Sequence, residues 1–179
     1  MEKEIVLLKK LDECAVIPTY AYEGDIGLDL VAIDVEYNEE HDYYVYHTGI
    51  VLANDYGKGF LIFPRSSIRD MDCYLTNSVG LCDTAVYRGE IMLTFKNRTS
   101  FEVRKALDKL NFVSKMSLFG AKINHHYSSE LNPIDFAPYK VGEKIGQLVL
   151  AEFPKVEFKV VAELNETDRG TGGHGSSGK

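Results

Sequence analysis

Short apolar runs broken by glycine, proline, asparagine and aspartate set the pattern of this chain. Residues 5–8, 28–32, 43–52, 59–63, 90–95, 145–153 and 157–161 are rich in Val, Ile, Leu, Phe and Tyr. Branched and aromatic side chains fill a half-buried pleated surface well, so each run predicts a strand. Many short strands separated by turn residues predict an antiparallel, all-β domain. Apolar and polar positions alternate imperfectly in 43–46 and 157–161, which leaves the strand faces open there.

One stretch follows a different period. From Phe101 to about Phe119, Val103, Ala106, Leu107, Leu110, Val113 and Leu118 recur at helical spacing, with Arg104, Lys105, Lys109 and Lys115 between them. That spacing predicts an amphipathic helix. Pro133 and Pro138 then punctuate a polar loop before strand character returns at Lys144. Residues 101–140 therefore read as a mostly helical or irregular insertion in a β domain. Beyond Val161 the chain turns glycine-rich, and a segment of that composition cannot bury enough to hold itself folded. The expected organisation is one domain over residues 1–163, insertion included, followed by a flexible C-terminal lid over 164–179.

Composition narrows the partners. With 179 residues, 45% of them hydrophobic, the chain supports one well-buried core. A net charge of −7 argues against wrapping nucleic-acid backbone, which needs an excess of Lys and Arg on one face. A small anionic ligand remains open, because a few local arginines suffice for it. Cys14, Cys73 and Cys82 lack metal-ligand spacing, and neither a signal peptide nor a long apolar span is visible. Reduced thiols, a cytoplasmic location and no membrane association are expected.

Several segments carry candidate chemistry. Pro64-Arg65-Ser66-Ser67 places a guanidinium fork and two hydroxyls at a strand end, a local phosphate clamp or a solvated turn. Residues 77–90 read as two strands joined by a turn near Asp83 and Thr84, with Asp83 a candidate general base and Tyr87 a candidate stacking surface for a sugar. Asp25 and Asp29 flank Gly27 before a strand, as would suit Mg²⁺ held directly or through water, although acidic turns are common. His125 and His126 have no further ligand at metal spacing and read as an exposed loop pair. Gly173 to Lys179 mimics the start of a phosphate loop, but that motif needs a preceding strand and a following helix, so the loop reading is rejected. Its physics survives: glycines let backbone N–H groups approach an anion, and Arg169, Ser176 and Ser177 can donate to it.

Taken in order, these segments resemble the five motifs of the trimeric dUTPase family. The first is residues 18–30, the second Pro64-Arg-Ser-Ser67, and the third Asn77 to Asp83 with Tyr87-Arg-Gly-Glu90. Gly142-Glu-Lys-Ile-Gly-Gln147 resembles the fourth and the Arg169-led glycine tail the fifth. The resemblance implies a jelly-roll-like subunit, a homotrimer with shared active sites, and conversion of dUTP and water to dUMP and pyrophosphate with Mg²⁺. That reaction would supply dUMP for thymidylate synthesis and keep uracil out of DNA. It also implies roles by position. Asp83 would deprotonate the water that attacks the α-phosphorus, and Tyr87 would pack under the deoxyribose. The backbone from Leu81 through Cys82 to Asp83, with Asn77 and Met92, would read uracil. Arg65, Ser66, Ser67 and Gln147 would hold phosphates, Arg169, Ser176 and Ser177 would close on the γ end, and Asp29 would hold waters bound to Mg²⁺.

The chain departs from the family pattern at three places. Thr84-Ala85-Val86 separate Asp83 from Tyr87 where the family usually has two residues, so the turn bulges or an anchor shifts. His174 replaces the aromatic, usually Phe, that caps uracil, and implies weaker closure at low pH. The 101–140 insertion resembles those of some phage enzymes, implying a phage-encoded protein working in an infected cell and a protein partner for the basic helical face. Two alternatives accompany this reading: deamination of dCTP on the same fold, and a nucleotide-dependent regulator built on the dUTPase scaffold.

Overall fold

The computed structural model describes residues 3–107 and 132–167. Ten strands follow in chain order: β1 (Leu7–Lys10), β2 (Leu28–Val31), β3 (Asp34–Asn38), β4 (Tyr43–His47), β5 (Ile50–Ala53), β6 (Lys58–Pro64), β7 (Cys73–Leu75), β8 (Gly80–Cys82), β9 (Met92–Asn97) and β10 (Lys144–Glu152). They form two four-stranded sheets, ordered β2-β10-β6-β8 and β3-β4-β9-β7, and a β1-β5 pair, all antiparallel. The all-β expectation holds, with a jelly-roll fold.

The expected strand over 43–52 is two strands. The chain breaks at Thr48 and Gly49, where Gly49 takes φ 67° and a Cβ would run into Ile33 and Ala15. Only glycine fits so tight a corner without strain. The corner sends the chain from the β3-β4-β9-β7 sheet to the β1-β5 pair. Conversely, residues 157–161 pair with nothing among the described residues and run as an extended segment. Strand β3 and the short β7 lie outside the expected runs.

Both sheets feed one core. Leu30, Phe60, Ile62, Ile145 and Leu148 come from one sheet, and Tyr44, Tyr46, Leu93 and Phe95 from the other. Fully burying each such side chain contributes about 1.5–3 kcal/mol. Gly146 makes room for the facing sheet, since a Cβ there would overlap the Leu93 side chain.

The C-terminal end of the expected 101–140 insertion is packed onto the domain. Tyr139 is buried and packs edge-on against Tyr46, with Phe95 beside it. The Tyr46 hydroxyl donates to the Tyr139 carbonyl at 2.9 Å and accepts from the Tyr139 N–H at 2.8 Å, so a buried hydroxyl is doubly satisfied. Tyr44 donates to the Pro133 carbonyl and Asn97 to that of Phe136. Ile134, Ala137 and Tyr139 thus pack into or against the core, while Asn132, Asp135 and Lys140 stay exposed. At the other end, residues 101–107 are helical, and Phe101 packs against Tyr37 and Phe136. The remainder of the expected helix, and His125 and His126, lie outside the described residues.

Candidate active site

Asp29 is the centre of one cluster. It lies on β2 opposite Gln147 of β10, and only 4% of its surface is exposed. Lys144 Nζ stands 2.7 Å from one carboxylate oxygen, while Arg65 Nε at 3.5 Å and Gln147 Nε2 at 3.3 Å face the other. Gly27 leaves room for this, because a Cβ there would press on the Gln147 side chain at 3.2 Å. A buried carboxylate thereby gathers two cations and an amide whose outer surfaces remain open to solvent. Arg65 follows Pro64 at the end of β6, and its carbonyl accepts from Ile68 N–H to start the 3-10 turn Ser66–Asp70. Ser66 and Ser67 are exposed on that turn. The cluster suits a polyanion, with a counter-charge already buried beneath it.

That arrangement does not fit Asp29 as an open metal ligand. Both its oxygens are engaged, and among the described residues no group of three or more His, Cys, Asp and Glu side chains could hold an ion. Asp25 is engaged elsewhere, since its carboxylate accepts from Tyr22 N–H at 2.9 Å and closes a local turn.

Asp83 leads a second cluster, on the turn after β8. The expected hairpin is not one: β8 pairs with β6, whereas the next strand, β9, pairs with β4 and β7 in the other sheet. The turn between them is tight. The Asp83 carbonyl accepts from both Val86 N–H and Tyr87 N–H, at 2.9 and 2.8 Å, so the additional residue is absorbed in the loop. Thr84 is fully buried and donates from its hydroxyl to Asn54 at 2.6 Å, which pins the turn from inside. Arg88 holds it from outside, donating to the carbonyls of Thr84, Ala85 and Tyr87. Gly89 leaves room for the Tyr87 ring, which a Cβ there would push out of this position.

On this frame Asp83, Leu81, Asn77, Tyr87 and Met92 are all exposed. Cys82 differs. Its side chain is buried in the core, and burial raises its thiol pKa, so only its backbone can face a ligand. Arg169, His174, Ser176 and Ser177 lie outside the described residues. Lys144 in the first cluster and Arg88 and Thr84 in the second make contacts to which sequence pattern alone assigned no role.

The two clusters sit far apart within one chain. Phe60 of β6 pairs with Cys82, placing Asp83 beside Gly59, while Arg65 follows Pro64 at the opposite end of the strand. Six residue steps run from Gly59 to Arg65, roughly 20 Å at about 3.3 Å each.

Comparison with known proteins concerns the chain as a whole. A family model described as dUTPase matches residues 13–107. The deoxyuridine 5'-triphosphate nucleotidohydrolase of Nocardia farcinica is 31% identical over 175 residues, covering 96% of this chain and 84% of that protein. That of Trichodesmium erythraeum is 30% identical, covering 96% of each. Among solved structures, the Staphylococcus bacteriophage 80alpha dUTPase with dUPNHPP superposes with a TM-score of 0.65 at 21% identity, over 99% of this chain and 100% of that one. A mutant dUTPase from phage phi11 of S. aureus, in which a structural Mg(II) ion is coordinated, gives 0.58 at 19% identity, over 89% and 97%. These structural likenesses establish the shared fold.

Proposed function

Since this chain belongs to the dUTPase family, we propose that it hydrolyses dUTP in a site assembled between copies, the Asp83 turn of one facing the Arg65 cluster of another. The chain is a dUTP diphosphatase, releasing dUMP and pyrophosphate. Its identity to nucleotidohydrolases favours hydrolysis over deamination of dCTP. The observation that carries the shared site is the separation along β6. Asp83 acts at the α-phosphorus and the Arg65 cluster grips the phosphates joined to it, so two clusters roughly 20 Å apart on one chain cannot serve one substrate.

The unpaired segment beyond β10 supports assembly. Val156, Phe158 and Val160 alternate along an extended backbone and are 70%, 89% and 96% exposed. An apolar strand face of that kind is covered by a neighbouring chain in an obligate oligomer. A homotrimer with three equivalent sites is the assembly we infer.

In that site the Asp83 carboxylate takes a proton from water as its oxygen attacks the α-phosphorus. The bond to the α–β bridging oxygen breaks and its electrons leave with pyrophosphate. Arg65, Lys144, Gln147, Ser66 and Ser67 hold the phosphates, and positioning with charge neutralisation supplies most of the rate. Tyr87 packs under the deoxyribose, while Asn77, Met92 and the 81–83 backbone contact uracil. The lid residues Arg169, Ser176 and Ser177 close on the γ-phosphate, with His174 over the base. Mg²⁺ would come with the triphosphate, held chiefly by phosphate oxygens and water and neutralising their charge. Pyrophosphate release from dUTP by the intact chain, compared with Asp83→Asn, tests this reading; absence of turnover by the intact chain overturns it.

A further inference from the structure

We propose that His47 is a positioning residue for substrate binding, acting through Glu90 on the turn that carries Tyr87. The inference rests on Tyr87 being the deoxyribose contact. His47 ends β4, and its Nδ1 lies 2.9 Å from Glu90 Oε2. Gly49 N–H donates to the other Glu90 oxygen at 2.7 Å. Thr48 donates from its hydroxyl to the Ile91 carbonyl, and Ile91 N–H donates to the Ile50 carbonyl at 2.9 Å. The β4–β5 corner therefore grips the limb leaving the substrate turn at four consecutive positions. Tyr87 reports on that grip, because its hydroxyl donates to the Glu90 carbonyl at 3.3 Å. His47 also pairs across the strands with Met92, on the uracil side of the site.

The pair is only partly wet, the His47 and Glu90 side chains being 22% and 17% exposed. It forms one wall of an open cleft of about 400 Å³, which Asp12, Cys14 and Asp34 also line. The groups facing the imidazole are Glu90, Glu36 with a carboxylate oxygen 3.8 Å from Nε2, and Asp34 directly across on β3. Burial alone would lower the His47 pKa, but the Glu90 hydrogen bond and the charges of Glu90, Glu36 and Asp34 outweigh it and raise it. A raised imidazole pKa means that the charged pair is fully formed below the unfolded value and is lost as pH rises through the folded one. Neutral His47 can still donate from Nδ1, so the alkaline form keeps a weaker, uncharged bond.

Tyr87 contacts the sugar before and during reaction, so loosening it raises KM more than it lowers kcat. Exchanging a charge-assisted for a neutral hydrogen bond corresponds to about a fivefold rise in KM on the alkaline limb. The test follows KM and kcat for dUTP from pH 5.5 to 9 in the wild type, His47→Asn and His47→Ala. The asparagine amide keeps a donor near Nδ1 without titrating. Relative to the wild type its KM is expected to be about fivefold higher on the acid limb and equal on the alkaline limb, while the alanine variant stays about tenfold above the asparagine variant at every pH and both keep kcat within about twofold. A His47→Asn profile matching the wild type's, or a loss confined to kcat, overturns the proposal. Hydrogen exchange at residues 85–91 of the full-length protein without nucleotide separates the two readings. If the intact chain never releases pyrophosphate, the assignment of Tyr87 falls. Exchange in 85–91 that is identical in the wild type and His47→Ala sinks the His47 coupling on its own.

Discussion

Lys144 lies 2.7 Å from the buried carboxylate of Asp29, so the cation proposed to face the phosphates is held from below by a buried counter-charge. Asp29→Asn keeps the shape and removes the counter-charge, leaving Lys144 and Arg65 to repel each other. Both cations are more than a third exposed, so water screens the loss. The expected destabilisation is about 1–3 kcal/mol, less than for a fully buried pair, with KM for dUTP raised about tenfold or more. Denaturant midpoints and steady-state kinetics measure both, and a variant unchanged in either would remove Asp29 from this role.

Asp83 is exposed at the end of β8, and its backbone carbonyl organises the turn while its side chain is left for chemistry. Asp83→Asn is expected to lower kcat by about 10²–10⁴-fold, the usual worth of a general base. Stability should stay within about 0.5 kcal/mol, as at other surface sites. A variant that loses activity only in proportion to lost folded protein would show Asp83 to be structural.

Arg88 tests whether the turn's rigidity matters. Its guanidinium reaches three carbonyls at 2.7 to 3.1 Å, a fan that a single ammonium cannot reproduce. Arg88→Lys keeps the charge and loses at least one of those bonds, so a cost of about 1–2 kcal/mol and a KM rise of roughly fivefold are expected. Kinetics indistinguishable from wild type would mean that Thr84 and Gly89 hold the turn without help.

Much of this site was legible because its parts are contiguous. Pro64 to Ser67 and Asp83 to Glu90 each place their functional groups on one local turn, so order along the chain exposes them. Lys144 was hidden by register. Lys144 and Gln147 are three residues apart and would point to opposite faces of a regular strand, yet a register shift between Lys144 and Gly146 brings both to Asp29. Local pattern cannot announce a bulge. Tyr139 was missed for a related reason: it sits in a polar, proline-containing stretch, and only the distant Tyr46 hydroxyl shows that the stretch is buried. The split of 43–52 was signalled by Gly49 alone, whose tight corner depends on Ile33 and Ala15 from elsewhere in the chain.

The separation of Asp83 from Arg65 yields the sharpest test of a shared site. Asp83→Asn and Arg65→Ala each disable one half, and each alone should be nearly inactive. In an equal co-refolded mixture, a site needs an intact Asp83 turn from one chain and an intact Arg65 cluster from its neighbour. Each condition is met half the time, so roughly a quarter of wild-type activity should return if copies assemble at random in a closed ring. Were both halves of a site to come from one chain, no combination would contain an intact pair, and mixing would restore nothing. Activity assayed before and after co-refolding, with separately refolded variants combined afterwards as the control, distinguishes the two architectures without a structure of the complex.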